Sequence, residues 1–480
     1  MLITHNRPTL LRPWIASALL LFCAVIITIP ASAQTFSKLA DFGATNTSNP
    51  DSALVQGTNG NFYGTTFEGS GDYGSVFNVS SQGALSLSFS FNNIDGSAPA
   101  GVILAANGSF YGATQYGGSN SLGSVFTVAP NGVQTILYNF SGSDGANPTA
   151  GLIQGEDGFF YGTTSAGGTK GLGTVFKITA DGVLTTLHVF HGIDGKSPSA
   201  ALIQGTDGRL YGTTLLGGTS NFGTVFRITT GGFFTVLHNF SGSDGRFPMA
   251  ALIQAANGNF YGTSSAGGNI SKSWCPRGCG GIFKITSAGT FSSVYQFCPS
   301  PGSTPCADGT GPDGGLVQTT DGSFYGTTAS GGSANLGVIY KLTAGGTLTP
   351  LYSFCTQAFC PDGSNPSSAL LQGTDGNLYG TAGSGGNSTN PGTIFSFSTG
   401  LAPFVHAVQH FGSVGSSVTI LGTNLTGATS VTFNGTAASF TVVSPTEITA
   451  TVPTGATTGN LQVVTPGGTL SSNGSFHIVL

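Results

Sequence analysis

Ala200-Ala201-Leu202-Ile203-Gln204-Gly205-Thr206-Asp207-Gly208-Arg209-Leu210-Tyr211-Gly212-Thr213-Thr214 sets two short apolar runs on either side of an Asp-Gly pair. Runs this short, bounded by turn residues, read as β-strands. Upstream, an apolar run closes at 187–190 and Gly192-Ile193-Asp194-Gly195 makes a turn. Downstream, a Gly217-Gly218 loop leads into a third run at 223–228, and Gly231-Gly232 leads into a fourth at 233–240. The unit is four short strands joined by turns. In chain order they are labelled a (the Ala-Leu-Ile-Gln strand), b (the Tyr strand), c and d.

The unit is copied. Tyr-Gly recurs at 63–64, 111–112, 161–162, 211–212, 261–262, 325–326 and 379–380, so the spacings are 48, 50, 50, 50, 64 and 54. A period near 50 marks a repeated supersecondary unit. Before each Tyr strand stands Asn-Gly or Asp-Gly, at 59–60, 107–108, 157–158, 207–208, 257–258, 321–322 and 375–376. That pair predicts a two-residue hairpin with positive φ at both central residues. No amphipathic helix of convincing length follows residue 33.

Four antiparallel strands at this period suit a β-propeller, with a solenoid of hairpins as the alternative. The ends discriminate between them. The repeats begin with a lone d strand at 35–42 and finish with a lone a-b-c set ending at 397. A ring closes by placing the first d on the last a-b-c, which removes the open edges. The expected fold is all-β: a seven-bladed β-propeller over 34–400, closed by the N-terminal strand, then an immunoglobulin-like β-sandwich over 401–480.

Residues 1–33 read as a cleaved signal peptide. Arg7 and Arg12 give a basic start, 15–29 is apolar, and Ala31-Ser32-Ala33 is a small-residue cleavage site. An uncleaved anchor is the alternative, but the run is short for a span of about 20 residues. Cys23 lies in that run without a lipoprotein-type flank. The formal charge is −5, and losing Arg7 and Arg12 makes the mature chain more acidic. So sparse a charge gives little attraction to nucleic acid or anionic lipid, and neither nucleic-acid binding nor membrane insertion after cleavage is expected. The 78 Gly raise the alternative of disorder, which 35 Phe and 13 Tyr placed periodically oppose.

Cys275, Cys279, Cys298, Cys306, Cys355 and Cys360 remain after the leader. An even count in an exported chain suggests disulfides. The simplest pairing is 275–279, 298–306 and 355–360, with the other connectivities left open. The spacings are not those of a zinc module and no His lies nearby.

Residues repeated in every unit are expected to build the ring, so the recurrent Tyr, Phe and Gly read as inter-blade packing. Asp95, Asp144, Asp194, Asp244 and Asp362 sit in d-to-a loops, where turn capping is favoured over calcium, which needs six to eight oxygens. His188, His191 and His238 have no consistent nucleophile partner. Glu68, Asp72 and Glu156 are candidates for a glycosidase pair, but nothing brings two of them together. No catalytic motif, metal set or cofactor motif is recognisable, so no cofactor is expected. Residues that break the repeat are better candidates. The long b-c and d-a loops of repeats five and six carry every mature cysteine, together with Trp274 and Arg277. Long loops on a rigid scaffold are where binding usually sits. Trp274, Arg277, Asp308, Asp313 and Asp362 are the candidate ligand-binding residues.

Two resemblances add to this. Gly415-Ser416-Ser417-Val418-Thr419-Ile420-Leu421-Gly422-Thr423-Asn424-Leu425, Val431-Thr432-Phe433-Asn434-Gly435-Thr436 and Ile448-Thr449-Ala450-Thr451-Val452-Pro453 resemble an IPT/TIG domain. That likeness implies an immunoglobulin-like fold serving adhesion, spacing or dimer contact. The runs 205–214 and 223–226 resemble the GloVer tandem repeat of bacterial exported (choice-of-anchor) proteins, covering about 36–398, with small departures at Ser75, Ser264 and Ala382. That family implies no catalytic residues to carry over. It often ends in an anchoring segment; no apolar or basic stretch follows the sandwich here, so direct carboxyl-terminal anchoring is not expected.

The expected function is a secreted or cell-surface, non-catalytic binding or adhesion protein. Its loop face would take an extracellular glycan or surface protein, with the sandwich as spacer or adhesive arm. The alternatives are a secreted glycan-active enzyme (glycosidase or lyase) with a propeller pocket, and a structural component of an extracellular layer. The periplasm is the alternative location.

Overall fold

The computed structural model describes Met1 and residues 34–43, 47–69, 71, 73–268, 275–299 and 306–479. The expected signal peptide therefore lies outside the described residues, as do Asp72 and Trp274. Among the described residues every regular element is a strand. The fold is all-β and propeller-like, built from antiparallel sheets of one repeated pattern.

Repeat four shows the pattern. Ile203–Gln204, Leu210–Thr214, Thr224–Ile228 and Phe234–Asn239 form one sheet in the order a-b-c-d. Strand c is buried on both faces, with Val225, Phe226 and Ile228 all fully inaccessible. Such burial explains why its sequence does not alternate. A register shift between Val225 and Phe226 puts a bulge in the c-d pair, and the same shift recurs at the corresponding place in other repeats.

The hairpin turns differ from expectation. The Gly208 N–H donates to Gly205 O at 2.9 Å and the Gly205 N–H to Arg209 O at 2.8 Å. Gly208 has φ of 74°, while Asp207 is not in the positive-φ region. This is a three-residue loop, a tight turn followed by one left-handed glycine, rather than a two-residue loop with two positive φ values. Asp207 keeps ordinary φ because its carboxylate accepts the Arg209 N–H at 3.2 Å and the Tyr211 hydroxyl at 2.8 Å.

Neighbouring sheets are joined by three repeated devices. Tyr211 is fully buried and stacks on Phe260 of the next repeat at 3.9 Å. Tyr111 does the same with Phe160 at 4.0 Å, and Tyr379 with Phe62 at 3.8 Å. Gly212, on the other face of strand b, makes room at the opposite seam, where Phe226 and Leu202 pack with repeat three. A Cβ there would lie 2.6 Å from the Phe226 ring and 2.7 Å from Leu202. Gly212→Ala is therefore expected to cost about 1–3 kcal/mol. The readout is the urea midpoint; a wild-type value would mean the seam can yield.

The second device is a glutamine at the end of strand a. Gln204 Oε1 accepts the Glu156 N–H of the preceding repeat at 2.9 Å, Gln254 accepts from Thr206 at 2.8 Å, and Gln318 from Ala256 at 2.9 Å. Gln154 and Gln372 act likewise on Ala106 and Thr320. Gln56 of the first repeat accepts from Thr374 of the last at 3.1 Å. Third, long cations on strand c reach the next c-d turn, as when Lys177 donates to Thr230 O at 3.4 Å and Arg227 to Ser287 O at 2.7 Å.

The last a-b-c set, Leu371–Gln372, Leu378–Ala382 and Thr393–Ser398, takes its fourth strand from Thr35–Asp41. The register runs antiparallel from Thr35 opposite Ser398 to Asp41 opposite Thr393. Phe42, Leu54, Phe62 and Phe77 pack with Tyr379 and Ile394 in one core cluster, so the last repeat and the first share their interior.

The carboxyl-terminal residues form two further sheets. One orders His406–Ala407, Ser417–Leu421, Glu447–Thr451 and Phe440–Ser444. The other orders Phe411–Ser413, Gly468–Val479, Gly459–Thr465, Ser430–Phe433 and Thr436–Ala437. Val418, Ile420, Val431, Phe433, Ile448 and Val463 fill the space between them. This two-sheet unit lies against the a-b turns of the array. The Thr446 hydroxyl donates to Thr58 O at 2.7 Å, Thr423 and Thr374 bond through their hydroxyls at 2.9 Å, and Asn473 donates to Gln318 O at 2.7 Å. Gln409 donates to Gln154 Oε1 at 3.3 Å. Repeats one, three, six and seven are thus all engaged.

Candidate functional site

Strand order puts the b-c and d-a loops on one face of the array and the a-b and c-d turns on the other. All six mature cysteines are on the loop face, paired as Cys275–Cys279, Cys298–Cys306 and Cys355–Cys360. These are the three local pairings the spacing favoured. The first two bridges come together, their four sulfurs lying within 4.8 Å of one another and all buried. The b-c loop of repeat five and the d-a loop after it therefore share one sulfur-lined core. Arg277 projects into solvent, while its carbonyl accepts the Gly267 N–H at 2.8 Å and pins the loop to the strand end.

Asp308 and Asp362 prove to hold loops in place. Asp308 accepts the Tyr295 hydroxyl at 2.8 Å and the Cys298 N–H at 2.9 Å. Asp362 accepts the Tyr352 hydroxyl at 2.7 Å and the Cys355 N–H at 3.0 Å. Asp144 makes the same clasp with Tyr138, whose phenol burial and then Asp144 push up to about 12. In repeats three and four a histidine takes the tyrosine's place. His188 and His238 each meet their aspartate, Asp194 and Asp244, at 2.9 Å. Each ring also stacks at 3.8 Å on a phenylalanine of the next repeat, Phe234 or Phe291. Burial lowers the pKa of both imidazoles. These histidines are staples between sheets, and the aspartates cap turns.

Asp313 sits elsewhere. Each strand a is preceded by a proline that seats against a glycine of the previous repeat, as Pro312 does on Gly280 and Pro50 on Gly392. The residue after that proline enters strand a at its loop-face end. Around the array these residues are Asp51, Ala100, Thr149, Ser199, Met249, Asp313 and Ser367. The Ser367 hydroxyl donates to Asp51. Asp313 and Asp51 belong to repeats six and one, yet the charge of Asp51 reaches the Asp313 carboxyl.

Asp313 is half-buried and Asp51 is exposed. Surrounding protein weakens the hydration of both carboxylates. Burial first, then the charge of Asp51, pushes the Asp313 carboxyl up to about 6. Burial raises Asp51 as well, against the hydrogen bond from Ser367. At the equivalent positions of repeats three and four the hydroxyls of Thr149 and Ser199 are buried without a hydrogen-bond partner among the described residues. The post-proline positions thus carry one carboxyl pushed up to about 6, a second carboxyl raised by burial, and unsatisfied hydroxyls. Asp51 was not singled out from sequence, although Asp follows the strand-a proline only at Pro50-Asp51 and Pro312-Asp313. The other carboxylates named from sequence are not part of this pair: Glu156 is on an a-b turn, and Glu68 accepts the Ser48 hydroxyl at 2.8 Å.

The extracellular domain of a B. thetaiotaomicron one-component system superimposes with a TM-score of 0.52 at 11% identity, covering 92% of this chain and 54% of that one. The chain thus spans about half the length of that protein, and the likeness speaks for the fold alone. A fungal alcohol oxidase of the AA5 family, solved with copper, gives a TM-score of 0.48 at 14% identity over 93% of this chain and 99% of that one. No curated protein matches the sequence. The model of the Gloeobacter/Verrucomicrobia repeat matches residues 24–157, 123–310 and 306–444, and the chain belongs to that family.

Proposed function

We propose that this chain is an exported, non-catalytic binding protein whose loop face takes an extracellular glycan or surface protein. In this reading the seven repeat sheets are the blades of a propeller that the N-terminal strand closes, residues 1–33 are a cleaved leader, and 401–480 is an immunoglobulin-like domain of the IPT/TIG type. One observation carries it. The chain's own sandwich bonds to four repeats on the turn face, while the loop face, which among the described residues makes no hydrogen bond to it, is braced by three disulfides. Disulfides at such density belong to an oxidising compartment. The sandwich so placed is a cap fixed to the ring as much as a spacer. Trp274, Arg277, Asp313 and Asp51 are the proposed contacts. A glycan array with the mature chain tests this: a hit lost in Trp274→Ala and Arg277→Ala supports it, and a hit that both variants keep sinks it.

The Asp51–Asp313 pair favours a second reading, a glycan-active enzyme, because a carboxyl titrating near pH 6 beside a carboxylate is suited to general acid catalysis. Release of reducing ends from plant and microbial glycans, abolished in Asp313→Asn, would replace the first reading by this one.

A further inference from the structure

The seam between repeats one and two lacks two of the devices that close other seams. Where repeats one and three to seven carry Gln56, Gln154, Gln204, Gln254, Gln318 and Gln372 at the end of strand a, repeat two has Leu104. The Thr58 N–H therefore loses the acceptor that the equivalent N–H groups of the other repeats receive. Where repeats three to six carry Lys177, Arg227, Lys284 and Lys341 on strand c, repeat one has Asn78. Lys177 and Arg227 cross to the next c-d turn, at the position that Pro130 holds in repeat two. Asn78 is too short to cross and instead donates to Ser88 Oγ of its own sheet at 3.0 Å.

A cavity of about 420 Å³ occupies the space. Thr58, Asn59 and Tyr63 form one side, the turn 129–132 with Asn131 the other, and Leu104 and Phe110 the floor. This falls within the size range of small-ligand sites, roughly 300–1,000 Å³. No acidic, basic or histidine side chain lines it. Amides of Asn59, Asn78 and Asn131 and hydroxyls of Thr58 and Ser88 line it with an aromatic pair, Tyr63 and Phe110, whose rings lie 4.3 Å apart. Uncharged hydrogen-bonding groups beside aromatic surface suit a ligand with apolar ring faces and neutral hydroxyl edges.

We propose that the cleft between repeats one and two is a binding site for a neutral saccharide, one or two sugar units in size. It lies on the turn face, away from the disulfide loops, and so stands independently of the loop-face reading. The double variant Asn78→Lys/Leu104→Gln restores the pattern of other repeats and fills the cleft. The probes are neutral cello-, malto-, manno- and galacto-oligosaccharides, titrated calorimetrically against the mature chain. The expected result is binding of at least one probe, weakened at least tenfold by the double variant and left intact by Trp274→Ala. Ser88→Tyr, which narrows the cleft from another wall, should weaken it in the same way. The proposal is overturned if no probe binds, if both cleft variants bind as the parent does, or if Trp274→Ala alone removes binding. That last outcome would support the loop face instead.

Discussion

Phe42→Ala and Phe190→Ala are expected to destabilise the protein equally, each by about 3–5 kcal/mol. Both rings are fully buried. Each ends a d strand: the Phe190 N–H donates to Gly173 O at 3.1 Å and the Phe42 N–H to Gly392 O at 3.2 Å. Each meets a strand-c phenylalanine edge-on, Phe190 with Phe226 at 5.6 Å and Phe42 with Phe77 at 5.0 Å. The difference lies in sequence position: Phe190 is mid-array, while Phe42 belongs to the first strand of the chain. In an open array the end units open locally at little cost, so truncation at Phe42 would fall on a fraying segment and register weakly. In a closed ring no unit is terminal and the two losses match. Urea midpoints of the two variants, with coincident transitions by fluorescence and far-ultraviolet dichroism, decide the matter. A Phe42→Ala cost below half that of Phe190→Ala would argue for an open array.

How much of this was legible in the sequence follows from how local each interaction is. The strand pattern could be read because turn residues and apolar runs recur at one period. The offset between a lone d strand and a lone a-b-c set placed Thr35–Asp41 beside the last repeat, where it pairs. Disulfide pairing was legible for the same reason, because each bridge closes a short loop. The turn type was misread because Asp207 bonds its own turn and so keeps ordinary φ, leaving the left-handed conformation to Gly208 alone. The glutamine column was visible, but its meaning depends on an N–H group some fifty residues away in sequence. The docking of the sandwich rests on Thr446, Thr423 and Asn473, ordinary polar surface residues in any linear reading. Asp51 and Asp313 stand far apart in sequence and become neighbours only when the array curves round. That curvature is a property of sheet packing and leaves no mark on either residue.

Asp313→Asn is expected to stabilise the protein at pH 7.5 and to leave it unchanged at pH 4. The Asp313 carboxyl is raised to about 6, by burial first and then by Asp51. An unfolded aspartate titrates near 4. Between those values the folded state keeps a proton that the unfolded state has released, so stability falls as pH rises. The favourable contribution of this group is fully present below about pH 4 and is lost as pH passes 6. Two units correspond to roughly 3 kcal/mol. Water around this half-buried carboxyl screens part of that, leaving about 1–2 kcal/mol for the amide to restore at pH 7.5. Urea midpoints at pH 4, 5, 6 and 7.5 should separate parent from variant progressively, and parallel curves would refute the coupling. Asp51→Asn removes the second cause, so it should shift the parent's transition to lower pH, and the two substitutions should not add. Two poorly hydrated carboxylates, at positions that the other repeats fill with neutral side chains, are destabilising at neutral pH.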